Sequence, residues 1–227
     1  MSTSSRLLRA LGATAVLATA GAAQAATVNW TDWTSFTGTA ASGTVGGVGV
    51  SVSSTSSMDG VTQIGGASNC GGPNYWTEPN AGDKPYTGGS VSNGPIACEQ
   101  LGLNSATSIT LTFASQIDTL YLALLSVGQP NLQVTYTFSQ AFTIDSEGQG
   151  FWGNDPSNGV VSGNSLTMTE FHGLLKFDGP ISSLTFTTGA ENWQAFTVGT
   201  AEVPEPGTWA LAGLALVAAG AARRRRA

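Results

Sequence analysis

Basic residues are nearly absent from the middle of this chain. Of its eight Lys and Arg, six (Arg6, Arg9, Arg223, Arg224, Arg225 and Arg226) stand at the two ends, leaving Lys84 and Lys176 between them. Residues 26–203 set thirteen Asp and Glu against those two lysines, a net charge of −11. Nucleic acid is therefore excluded as a partner, because binding it depends on neutralising phosphates with Lys and Arg. Histidine is scarcer still. His172 stands alone, so a zinc site with two His ligands cannot be built. A Ser-His-Asp triad would have to use it. No Gly-x-Ser-x-Gly elbow is present, and Phe171-His172-Gly173 falls between expected strands, where a lone His is a turn or surface residue. The chain reads as a non-enzyme without a resident cofactor.

Helix-forming Glu, Lys and Arg are few, with charged residues at only 10%, while Gly reaches 30 and Ser and Thr are abundant. This balance belongs to a turn-rich β-protein. At 227 residues there is room for one domain plus processing segments.

Both ends carry such segments. Arg6 and Arg9 precede a small apolar run, and Ala23-Gln24-Ala25 supplies the small-x-small pattern that signal peptidase cuts. Residues 1–25 read as a signal peptide. At the other end, Pro204-Glu205-Pro206 leads into an uncharged apolar stretch closed by Arg223 to Arg226. A transmembrane helix over 208–222 would rise about 21–23 Å, short of the roughly 30 Å hydrocarbon core. It makes a weak permanent anchor. The arginines halt it on the cytoplasmic side, which leaves residues 26–202 outside. The two prolines keep the Glu205 segment extended, as a processing enzyme requires.

These last 25 or so residues resemble the PEP-CTERM sorting signal of Gram-negative bacteria. The resemblance implies processing by the membrane enzyme exosortase after a transient stay in the inner membrane. It also implies a cell-surface or extracellular destination and association with extracellular polysaccharide and biofilm. The same segment is similar to the C-terminal region of proteins classed as ice-binding, and that likeness extends no further into the chain. Ice binding would need regular Thr-x-Thr rows. The pairs beginning at Thr110, Thr135, Thr167 and Thr185 are spaced 25, 32 and 18 residues apart, with no fixed period.

Between the ends the period is two. Thr110-Leu111-Thr112-Phe113, Thr135-Tyr136-Thr137-Phe138, Ser165-Leu166-Thr167-Met168-Thr169 and Thr185-Phe186-Thr187 alternate hydroxyl and apolar side chains. Turn signals at Gly128-Gln129-Pro130-Asn131, Asn158-Gly159, Gly163-Asn164 and Asp178-Gly179-Pro180 separate the runs. An antiparallel β-sandwich of jelly-roll type over residues 26–202 is expected, flanked by the signal helix and the C-terminal hydrophobic helix. The apolar stretch 117–127 reads as a central strand buried on both faces, with 132–138 returning beside it as a hairpin. Residues 60–94 read as a long loop. Cys70 and Cys98, the only cysteines, are expected to clamp it with a disulfide once exported.

Two loops hold the candidate binding residues. Tyr75, Trp76 and Glu78 in one, and Phe151, Trp152, Asn154 and Asp155 in the other, set flat rings beside polar groups. This combination suits a sugar, whose C–H face stacks on a ring while its hydroxyls bond to amides and carboxylates. Core packing is the competing fate of each Trp. Trp30, Trp33 and Trp193 lie in strand-like segments and are expected in the core. Asp145 with Glu147, and Asn154 with Asp155, offer oxygen ligands from which a calcium site could begin. Solvated loop charge is the plainer reading of both.

Overall fold

The computed structural model describes residues 25–58, 61–66, 72–78, 84–152 and 159–201. The signal peptide, Cys70, Asn154, Asp155, Pro204, Glu205, Pro206 and the terminal arginines lie outside the described residues. Among those described there are twelve strands and no helix. They are β1 (Val28–Trp30), β2 (Asp32–Phe36), β3 (Ala40–Val45), β4 (Val48–Ser54), β5 (Leu101–Leu103), β6 (Thr107–Val127), β7 (Val134–Phe138), β8 (Thr143–Glu147), β9 (Val160–Ser162), β10 (Ser165–Met168), β11 (Phe171–Thr188) and β12 (Gln194–Ala201). Every strand pairing is antiparallel.

Two long strands organise the rest. The first half of β6 pairs with β4 and with the second half of β11; the second half of β6 pairs with β12 and with the first half of β11. One path therefore runs β2-β3-β4-β6-β11-β7-β10-β9, while β12 attaches to the other half of β6 and carries β1 and β5, and β8 attaches to the other half of β11. The bend falls where β11 loses register between Asp178 and Ile181 and again before Ser183. Asp178-Gly179-Pro180, expected to be a turn, is instead an irregularity inside one strand. Gly179 takes φ +109°, and Pro180, which has no N–H to give a ladder, sits where pairing is already broken.

The alternating runs bury their apolar members. Ile109, Leu111, Phe113, Tyr136, Phe138, Leu166, Met168, Leu184 and Phe186 all enter one core with Leu120, Leu122, Leu124 and Phe196. The hydroxyls on the other face meet across strands: Thr110 with Thr185 at 3.2 Å, Thr135 with Thr167 at 2.9 Å, Thr137 with Ser165 at 2.9 Å. Within the 117–127 stretch, Asp118 is exposed and Thr119 and Ser126 are partly so, while residues 120–125 are buried on both sides as expected. Their odd-numbered members Tyr121, Ala123 and Leu125 fill a second core with Val28, Trp30, Trp76, Tyr86, Val91 and Leu174. The expected hairpin from 117–127 to 132–138 does not form. A tight turn at Gln129 and Leu132 is present, but β7 pairs with β10 and β11, because β11 takes the edge of β6 that a hairpin would have used.

The described parts of 60–94 hold no strand, as read, yet they are packed down, Ile64 on the first core and Trp76, Tyr86 and Val91 on the second. Trp76, Tyr86 and Val91 are buried there, each large side chain contributing about 1.5–3 kcal/mol by burial. Glu99 ties this segment to β2. Its buried carboxylate accepts the Trp33 N–H at 2.7 Å and the Gly66 N–H, and burial raises its pKa despite those bonds.

Candidate functional site

Where β6 ends beside the start of β11, the ladder slips. Phe171 faces Val127 and Gly173 faces Leu124, so Leu125 and Ser126 together stand opposite His172. Such a bulge re-aims side chains. Ser126 (φ +53°) and Glu170 (φ +51°) both occupy the left-handed region that L-residues avoid at a cost of about 1–3 kcal/mol each. They hold each other there. Ser126 Oγ donates to Glu170 Oε1 at 2.7 Å.

His172 lies behind this pair, inside β11 and fully buried, not on a turn or at the surface. The bulge draws it inward. Its Nδ1 accepts the Ser126 backbone N–H at 3.3 Å and lies 3.4 Å from the Tyr86 hydroxyl. An accepting Nδ1 assigns the proton to Nε2. That nitrogen lies 3.4 Å from Glu170 Oε1, a charge contact without well-formed hydrogen-bond geometry. Gly150 rests directly on the imidazole, where a Cβ would overlap the ring. The Gly148 N–H bonds the His172 carbonyl at 3.1 Å, which lays the following Phe151 and Trp152 over the site.

Those rings meet the ones from the earlier loop. Tyr75 stacks on Trp152 (5.3 Å, 11°) and packs edge-on against Phe151 (5.0 Å). Trp193 closes the group, 5.2 Å from Trp152 and 5.5 Å from Tyr75. Trp152 remains 43% exposed. Beside it opens a cleft of ≈ 230 Å³ lined by Ser126, Gly128, Gln129, Trp152, Glu170, Glu191, Asn192 and Trp193. This is below the usual range of small-molecule pockets and matches about one ring-sized group.

Glu191 forms part of the cleft wall. Its Oε1 accepts the Gly128 N–H at 2.9 Å, and Gly128 (φ +79°) admits no side chain because a Cβ would run into the Met168 carbonyl. Burial, with the Glu170 charge adding to it, raises the Glu191 pKa from 4.5 to about 8, against the lowering effect of the Gly128 bond. The cleft therefore combines a tryptophan wall, two carboxyl groups, one of them held protonated near neutrality, and no lysine.

Of the residues singled out in the sequence, Tyr75, Phe151 and Trp152 come together. Trp76 lies beneath them, packed edge-on against Tyr86 at 5.2 Å. Glu78 points elsewhere, accepting from Tyr86 N at 2.9 Å and Thr87 Oγ1 at 2.8 Å. Trp30 and Trp33 are buried, but Trp193 is only partly so and lines the cleft. Asp145 accepts from Ser90 N and Oγ. Among the described residues no three His, Cys, Asp or Glu converge as a metal would need. Ser126, Gln129, Glu170, Glu191 and Asn192 carried no signal beyond the turn at Gly128-Gln129-Pro130-Asn131.

Residues 202–226 match the family model of the PEP-CTERM protein-sorting motif. The chain thus carries a sorting signal of the kind read by an exosortase, which marks it for export to the cell surface or beyond. No curated protein and no solved structure matches the chain.

Proposed function

We propose that this exosortase-sorted protein binds a glycan of the cell envelope or extracellular matrix in the cleft beside Trp152. The observation that carries the reading is one cleft that sets Trp152 and Trp193 beside Ser126, Gln129, Glu170, Glu191 and Asn192, with Trp152 backed by Tyr75 from the earlier aromatic loop. Indole surface with hydroxyl, amide and carboxyl groups around it is what a sugar ring needs. Binding rather than cleavage is favoured by the way His172 is used. Its Nδ1 is engaged by a backbone N–H, and Ser126 Oγ bonds to Glu170, so His172 does not activate Ser126. Association with exopolysaccharide and biofilm follows as part of the same proposal.

The route is proposed with it. Signal peptidase removes residues 1–25, the apolar run over 208–222 stops briefly in the inner membrane, and exosortase cuts near Pro204-Glu205-Pro206. Cys98, buried and with no free thiol, pairs with Cys70, the one other cysteine. The test is a polysaccharide pull-down and glycan array with the secreted protein and its Trp152→Ala variant. Retention by wild type and loss by the variant support the reading; no retention of any glycan leaves a purely structural matrix protein.

A further inference from the structure

We infer that the cleft selects a positively charged glycan, an amino sugar whose ammonium meets Glu170 and Glu191 while its ring lies against Trp152. The inference rests on the glycan reading and adds the class of sugar. Its first ground is the charge of the lining. Glu170 and Glu191 both face the cleft, and neither Lys84 nor Lys176 is among the residues that line it; Lys176 is paired with Asp178 at 2.9 Å. A uronic acid would bring another carboxylate against that of Glu170, at a site with no lysine or arginine to receive it. Like charges in so confined a place are strongly disfavoured.

The second ground is the wall. Trp152 and Trp193 present indole surface to the same space, and an indole face attracts an ammonium more strongly than it does a neutral hydroxyl. A third ground is how the titratable groups are arranged around the two carboxyls. From β11 His172 Nε2 approaches Glu170, from β6 Ser126 Oγ bonds it, and from the turn after β6 the Gly128 N–H bonds Glu191. None of these brings a full positive charge between the two. Glu191 is accordingly held as a neutral acid, its pKa pushed up to about 8 by burial and by Glu170. An ammonium arriving beside it favours the carboxylate, so binding releases a proton.

The experiment is calorimetry and tryptophan fluorescence on the secreted protein with three matched oligosaccharides, of glucosamine, of N-acetylglucosamine and of a uronic acid. A mildly acidic buffer keeps the sugar amine charged. The glucosamine oligomer is expected to bind at least about tenfold more tightly than its acetylated counterpart. Only the former should release a proton, seen as a dependence of the binding heat on the buffer's ionisation enthalpy. Glu191→Gln, which keeps an acceptor for the Gly128 N–H, should abolish both the preference and the proton release. Equal or better binding of the acetylated or acidic oligomer overturns the inference while leaving the glycan reading intact. Unchanged glucosamine binding by Trp152→Ala overturns it as well, since attraction to an acidic surface would then suffice. If none of the three sugars perturbs the tryptophans, the glycan reading fails with it.

Discussion

Ser126 and Glu170, 44 residues apart in sequence, are joined by a 2.7 Å hydrogen bond between two side chains whose backbones are both left-handed. Neither conformation is favourable alone, and the bulge at His172 imposes both. Replacing Ser126 separates these effects. Ser126→Ala and Ser126→Gly each lose the hydroxyl, but glycine relaxes the backbone, so Ser126→Gly should be the more stable of the two by about 1 kcal/mol. Chemical denaturation midpoints decide it; equal midpoints would mean the left-handed turn is not strained.

Gly150→Ala should lift the 148–152 segment from the imidazole, because the new methyl group cannot occupy the space of the ring. A loss of about 1–3 kcal/mol is expected, as for other overpacked sites. The emission of Trp152 should shift to the red as its stacking on Tyr75 opens. An unshifted spectrum with full stability would place the loop elsewhere.

The pH dependence of stability follows from Glu191. Its carboxyl binds a proton more tightly folded than unfolded, since its pKa rises from 4.5 to about 8 on burial. The folded form therefore holds a proton that the unfolded form has shed between those values. Stability is fully present below about 4.5 and is lost progressively as pH rises to about 8, at no more than about 1.4 kcal/mol per pH unit. Thermal melts of wild type and Glu191→Gln across this window should converge at the acid end and separate at the alkaline end. Parallel curves would remove Glu191 as the cause.

In cells with an active exosortase, the surface or secreted protein should lack residues downstream of the Pro204-Glu205-Pro206 region. Glu205→Ala should leave it uncut without disturbing the sandwich, because β12 ends at Ala201. Mass spectrometry of the C-terminal peptide gives the answer. A mature protein still ending at Ala227 would make the tail a simple anchor.

Alkylation of the unreduced, natively secreted protein should leave Cys70 and Cys98 unmodified, and reduction should expose both. A clamp of this loop length is worth roughly 3–4 kcal/mol in the chain-entropy model. Two freely alkylated thiols would remove it.

The strands were legible because alternation is a local property. Thr135-Tyr136-Thr137-Phe138 can bury only one face wherever it is placed, and 120–125 has no polar face to offer water. The errors arose where local signals are ambiguous. Gly179-Pro180 ends a strand in most settings, but here the neighbouring strand β6 continues past it, and a bulge absorbs the pair. His172 looked like a surface residue because nothing within a few positions shows that Gly150, 22 residues earlier, clears room for its ring. The candidate site was half visible. Aromatic loops around 75 and 152 are conspicuous in composition, whereas Glu170 and Glu191 become neighbours only through the return of β11 alongside β6. Trp193 reads as strand core, and its ring does pack on the second core while one side remains open to the cleft.

Because β6 and β11 each run through both halves of the sheet, neither half has a backbone of its own. Stripping β4 or β7 from one side leaves a ribbon still held by β12 and β8 on the other, and the reverse is equally true. The domain has no seam along which it could come apart in stages. A tensile load applied through its two ends enters at β1 and β12, which pair with each other through Val28 and Ala201 at the very limits of the fold. Those ends leave the pair side by side, so a load on both would open its hydrogen bonds one after another, beginning at Val28 and Ala201.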